Sequence, residues 1–266
     1  KKRFDQQLLL FRYSGLNTDI CNPRIGLVLY INLTEIDSVC RHDLSVRPCN
    51  IQCRKSERTA LSAALREAGI APTKERMARY SQINAEHWQL LECGRLTREQ
   101  VLVQRFAVLF SEYGIAADAA EVEKRYEQFL SEQVYFMPRA LQTLKKLKAG
   151  GYHLYLITNG NASVQHRRLA KSGIAPLFEH IFISEEMGAD KPSEAFFSYC
   201  FTHVGRFSKD EALVIGDSLS SDILGGNRAG VRTVWLSDGA APQNAAAKPD
   251  YILPALGALP ALLKTL

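Results

Sequence analysis

From Ser56 onward the apolar positions follow two successive patterns, first a helical period and then short apolar runs set between helices. Ser56 is placed to cap a helix through Leu61, Ala64 and Leu65 that stops at Gly69. A second helix fits Thr73 to Cys93 and ends at Gly94. A third takes Thr97 as its cap, with Glu99 in the first turn, carries Val101, Val103, Phe106, Leu109 and Phe110, and stops at Gly114. A fourth fits Ala117 to Gln133. Four consecutive helices with short connections predict a small antiparallel bundle.

From Met137 the pattern alternates. Pro138 opens a helix to Lys148, and Gly150-Gly151 stops it. Strands are predicted at His153–Thr158, Ile181–Ser184, Ala212–Ile215, Val231–Leu236 and Tyr251–Leu253. Helices are predicted between them at Ala162–Ser172, Ser193–Val204 and Asp222–Ala229, with one more at the end. Such alternation implies an α/β fold with a parallel sheet covered on both faces. Before Ser56 the patterning is irregular. Leu8–Phe11 and Gly26–Leu33 are apolar enough for strands, whereas Arg41–Arg54 has neither period. The chain therefore divides into an irregular segment (1–54), a helical domain (55–135) and a Rossmann-like core (136–266).

Composition narrows the class. The 266 residues are 46% hydrophobic and 23% charged, which suits folded domains rather than disorder. No apolar run reaches the ~20 residues that span a bilayer. The Lys-Lys-Arg start is followed by Asp5, Gln6 and Gln7, a poor secretory signal, so a cytoplasmic location is expected. Six cysteines lack the spacing of a zinc site or a disulfide framework. The net charge of +5 suits an anionic substrate but is too small to argue for nucleic acid. Neither nucleic acid nor a membrane is expected as a partner.

Three polar clusters fall at predicted strand ends, where doubly wound sheets bind ligands. Thr158-Asn159-Gly160 follows the run Leu154–Ile157 and precedes a helix. A hydroxyl, an amide and backbone N–H groups there could hold a phosphate. Lys191, before Pro192 at a helix start, could neutralise a phosphoryl group and a nearby carboxylate. Gly216-Asp217 ends a strand, and Asp222 opens the next helix, so the two carboxylates offer oxygen ligands to Mg²⁺. Taken singly, each also fits a plainer reading: a helix cap after a strand, a surface lysine in a turn, an Asp turn with an Asp cap.

In this order the clusters resemble the second, third and fourth motifs of the haloacid dehalogenase (HAD) superfamily, over roughly Ser56 to Leu266. The run Ile223–Gly230 resembles the helix after the fourth motif, whose small residues let it lie close to the sheet. The resemblance implies that Thr158 bonds the transferring phosphoryl oxygen, with Asn159 and Gly160 beside it. It implies that Lys191 orients the nucleophile, that Asp217 ligates Mg²⁺, and that Asp222 is a second ligand or the partner of Lys191. Gly-Asp-x-x-x-x-Asp looks like the phosphatases, whereas the dehalogenases usually carry Ser-x-Asn in place of Gly-Asp and need no metal. The helical domain then reads as a four-helix cap. Its segment Asn84–Trp88 through Glu92–Thr97 to Gln104–Phe106 resembles bacterial pyrimidine 5′-nucleotidases, as does Ile183–Gly188. Trp88 or Phe106 could stack on a base, and Arg95 or Arg105 could meet a phosphate. Bundle core for the two aromatics and solvated surface for the two arginines stay open beside that reading, and His87 reads as structural. The implied activity is hydrolysis of a small phosphorylated metabolite, foremost a nucleoside 5′-monophosphate. A sugar phosphatase and a non-catalytic phosphate or nucleotide binder remain alternatives.

The superfamily's first motif, Asp-x-Asp-x-Thr, is not in this chain. Its first carboxylate attacks phosphorus, and the second acts as general acid and base. The start of the cap places it near Ser45–Pro48, where Asp43 lacks a preceding apolar strand. The other candidate strand, Leu27–Ile31, leads to Asn32 and Thr34 where two Asp are required. A one-nucleotide frame shift over Asp43–Pro48 can be written to read Thr-Phe-Leu-Phe-Asp-Leu, a strand ending in the first aspartate. An intact motif in a neighbouring frame of the DNA supports that explanation, and its absence refutes it.

Overall fold

The computed structural model describes residues 28–32, 53–237 and 246–266. Its strands are Val28–Asn32 (β1), His153–Thr158 (β2), His180–Ile183 (β3), Ala212–Gly216 (β4), Arg232–Leu236 (β5) and Tyr251–Leu253 (β6). They form one sheet in the order β3-β2-β1-β4-β5-β6, with every neighbouring pair parallel. The segment Arg41–Arg54 up to Gln52, Leu8–Phe11 and the frame-shift candidate Asp43–Pro48 lie outside the described residues. The central strand is therefore the run ending at Asn32, which pairs with both β2 and β4.

Strand alternation sorts the apolar residues onto two faces. Leu29, Ile31, Leu154, Leu156, Leu213 and Ile215 face one side. There they meet Ala140, Leu144 and Leu147 of Ala140–Ala149 (α5), Leu169 of Ala162–Ser172 (α6) and Leu259 of Leu259–Leu262 (α10). Tyr30, Tyr155, Ile157, Ala212 and Val214 face the other side, against Phe196, Phe197 and Cys200 of Glu194–Thr202 (α8). Each fully buried large apolar side chain contributes about 1.5–3 kcal/mol, so both faces are energetically committed to these layers. The helix Leu224–Ala229 (numbered α9, after the short α7, Ser184–Met187) lies close on this second face. A Cβ on its Gly225 would sit 2.3 Å from the Phe197 ring, and one on Gly226 would sit 2.5 Å from Thr233 Cγ2.

The helices Cys53–Glu67 (α1), Lys74–Glu92 (α2), Arg98–Glu112 (α3) and Ala119–Glu132 (α4) pack around a separate core that includes Leu61, Leu65, Tyr80, Ile83, Phe106, Leu109 and Tyr126. Thr97 closes a capping box with Gln100, as the sequence pattern implies. Ser56 differs from expectation. The helix continues upstream to Cys53, so Ser56 is buried within α1 and does not cap it. Each helix also gives one polar residue to a buried network. Asn84 Nδ2 donates to Glu57 Oε1 at 3.1 Å, and Arg105 donates to Asn84 Oδ1 at 2.7 Å and Glu123 Oε1 at 2.8 Å. The bundle rests on the sheet domain through α4 against α6, and Val164 of α6 joins the bundle core. No helix among the described residues is long and apolar enough to cross a membrane.

Candidate active site

The carboxyl ends of β2, β1 and β4 lie side by side, and the predicted clusters meet there. Thr158 ends β2 and is buried. Its Oγ1 accepts the Gly160 N–H and the Gln165 amide, each at 3.1 Å. A hydroxyl offers two acceptor positions and one proton. With both acceptor positions filled, the Thr158 O–H remains as a donor.

Three expectations about this turn change. Backbone N–H groups at the start of α6 are already used. Asn161 Oδ1 caps the Ser163 and Val164 N–H groups, and the Ala162 N–H donates to Glu185. Gly160 spends its N–H on Thr158, so it shapes the turn without offering that donor to a phosphate. Asn159 spends its amide on Lys191, accepting the Lys191 N–H and donating to the Lys191 carbonyl, both at 2.8 Å. It is a clamp on the lysine, because both ends of the amide face main chain rather than the opening of the site.

Lys191 is 1% exposed, and its Nζ lies 2.5 Å from Oδ1 of the fully buried Asp222. Asp222 reaches back because Leu219–Ile223 forms a π-helical turn, not the plain helix start expected there. Such turns concentrate at functional sites. The Ser218 N–H donates to Asp222 Oδ2 at 3.2 Å. Only glycine fits at 216, since a Cβ there would stand 2.2 Å from Asp222 Oδ2. Both Asp222 oxygens have partners, Oδ1 in Lys191 and Oδ2 in Ser218, so of the two roles expected of it the structure shows the lysine's partner. Asp217, half-buried, follows β4, and the Trp235 indole donates to its carbonyl at 2.8 Å. Among the described residues no three His, Cys, Asp or Glu cluster as a metal cage.

The bundle residues separate. Trp88 is half-buried, and its indole donates to Asn84 Oδ1 at 3.1 Å. Phe106 is core, and the His87 ring nitrogen Nδ1 bonds the Ile83 carbonyl at 2.8 Å. Arg105 is not on the surface and does not reach the phosphate side. Its charge is buried against Glu123 and Asn84, with the guanidinium 5.1 Å from the Tyr126 ring centre. Arg95 is exposed in the turn between α2 and α3. Sequence reasoning missed Gln165, Trp235 and Arg98. Arg98 donates to the Asn159 carbonyl and to Ser184 Oγ, both at 2.7 Å, and pairs with Asp190. Gln165 alone carried a readable signal, seven residues past Thr158 on the inward side of α6.

A doubly wound parallel sheet, with a polar site beyond its carboxyl ends and a helical bundle beside them, defines a Rossmann-like α/β architecture. The chain belongs to the haloacid dehalogenase-like hydrolase family, whose profile matches residues 66–236 and begins beyond β1. YfnB of Bacillus subtilis, described as a HAD-hydrolase, is 37% identical over 196 residues, covering 74% of this chain and 83% of the relative. The pyrimidine 5′-nucleotidase PynA of Streptococcus pneumoniae is 35% identical with the same coverage. The crystal structure of magnesium-bound YfnB superposes with a TM-score of 0.79 and 32% identity, over 89% of this chain and 98% of that one.

Proposed function

We propose that this is a Mg²⁺-dependent phosphomonoester hydrolase acting on nucleoside 5′-monophosphates, with α1–α4 as a cap over the substrate. The cap spans 55–135 and the core 136–266, with the 1–54 segment lending the core its strand β1. One observation carries the reading: the Thr158 hydroxyl at the end of β2, the buried Lys191–Asp222 pair and Asp217 just past β4 lie at the carboxyl side of one sheet. The relation to PynA supports a nucleotide over a sugar phosphate.

The Thr158 O–H donates to a phosphoryl oxygen. Lys191, its position fixed by Asp222 and by the Asn159 clamp, offsets charge that grows on the phosphoryl group during transfer. The donors at Asp217 suit Mg²⁺, a hard cation that takes carboxylate, phosphate and water oxygens. When bound there, the ion neutralises phosphoryl charge. Trp88 offers a ring to the base from the cap side.

A second reading has its own observation. Asn32 ends β1 opposite Ile157 and one place past the Ile31–Ile215 pair. An amide cannot form the acyl-phosphate that a carboxylate forms. The chain as written would then bind phosphorylated ligands without turning them over. Phosphate release from p-nitrophenyl phosphate and a panel of nucleotides and sugar phosphates, with Mg²⁺, separates the readings. Turnover abolished by Asp217→Asn supports the hydrolase. Nucleotide binding without turnover, with activity gained in Asn32→Asp, supports the binder. Neither binding nor turnover refutes both. In the panel, Trp88→Ala should raise KM for nucleotides and leave sugar phosphates unchanged.

A further inference from the structure

Arg98 opens α3 on the bundle, yet its guanidinium is spent on the sheet domain. It holds the Asn159 carbonyl, Ser184 Oγ at the start of α7, and the Asp190 carboxylate. Its other side faces the Trp88 ring, 5.8 Å from the ring centre. The side chain is 12% exposed and its partner Asp190 26%. Charge-assisted bonds to a planar, multi-donor guanidinium fix geometry more firmly than one ammonium could.

Two of the three residues it holds set Lys191. Asn159 clamps the lysine's main chain by two hydrogen bonds, and Asp190 directly precedes it. One bundle side chain thus spans the Thr158–Gly160 turn and the Gly188–Lys191 turn. We infer that Arg98 is a positioning residue, a latch that orders both turns around Lys191 when the bundle is seated. The phosphoryl site is then fully assembled only with the bundle closed, so phosphate binding and bundle closure favour each other. This rests on the phosphoryl-site reading above for its consequence, but not for the latch itself.

Hydrogen exchange by mass spectrometry on the full chain tests it, with Arg98→Ala, Arg98→Lys and Arg79→Ala compared with wild type. Arg79 pairs with Glu112 on the bundle's exterior and serves as a control. Arg98→Ala should speed exchange roughly tenfold in peptides covering Asn159–Gly160 and Asp190–Lys191, leaving β4 and β5 unchanged. Arg98→Lys should fall between, because a compact ammonium keeps the charge but not the planar fork that spans the separated acceptors. Arg79→Ala should leave both turns at wild-type rates. Asp190→Asn, which removes the charge partner and keeps the arginine, should reproduce a smaller rise in the same peptides if Arg98→Ala does not fold. Orthophosphate affinity with Mg²⁺ should fall about tenfold in Arg98→Ala. Unchanged exchange in both turns, or a rise spread evenly over the chain, overturns the latch. Wild-type protein that ignores orthophosphate, while exchange rises as described, overturns the phosphoryl reading and leaves the latch standing.

Discussion

Replacing Asp222 by Asn removes one charge from a pair that water does not reach. Lys191 and Asp222 are 1% and 0% exposed and 2.5 Å apart. An asparagine keeps the shape and can still accept the Ser218 N–H. What it loses is the compensation of a buried ammonium. Breaking a buried pair on one side costs about 3–5 kcal/mol, a large share of a total stability of about 5–15 kcal/mol. At ~2–4 °C per kcal/mol for a chain of this size, Tm should drop by about 6–20 °C. Urea unfolding of wild type, Asp222→Asn, Lys191→Met and the double variant gives the coupling directly. The double variant should be less destabilised than the sum of the singles by about 1–3 kcal/mol. An Asp222→Asn variant within ~0.5 kcal/mol of wild type would refute the reasoning, as would strict additivity.

Gly216→Ala should cost about 1–3 kcal/mol by overpacking, because its Cβ would overlap the Asp222 carboxylate at 2.2 Å. Denaturant midpoints check this, and Gly230→Ala does not substitute as a control because its φ is positive. Burial pushes the Glu123 carboxyl up from 4.5 to about 7, against the pull of Arg105. The fold therefore holds that proton more tightly than the unfolded chain does. Its contribution to stability is complete below pH 4.5 and is lost as pH rises through about 7. Glu123→Gln should flatten the fall in stability over that window in a pH series of melts. A slope identical to wild type contradicts the assignment.

Local chemistry made much of the fold readable. β2 and α6 lie where the apolar run His153–Thr158 and the pattern Ala162–Ser172 place them. The cap at Thr97 falls where the sequence puts it, because a cap is decided by residues within one turn. The pairing of Lys191 with Asp222 was one of two roles that the motif resemblance implied for that carboxylate, and the structure shows it. The roles of individual polar groups were less legible. Arg105 reads as a surface charge until Glu123 and Asn84, on two other helices, are seen to enclose it. Asn159 reads as a phosphate donor until Lys191, 32 positions on, takes both ends of its amide. Arg98 and Trp235 serve groups 61 and 18 positions away, and no periodicity encodes such partners.

The central claim is that three strand ends form one phosphoryl site. Calorimetric titration of orthophosphate into wild type, Thr158→Val and Asp217→Asn, with and without Mg²⁺, tests it most directly. Wild type should bind one phosphate. Thr158→Val, which removes the donating hydroxyl but little volume, should weaken binding about tenfold, the worth of one hydrogen bond to a charged group. Asp217→Asn should lose the part of the affinity that Mg²⁺ confers. Folded wild-type protein that binds no phosphate, or binding unchanged in both variants, would contradict the account.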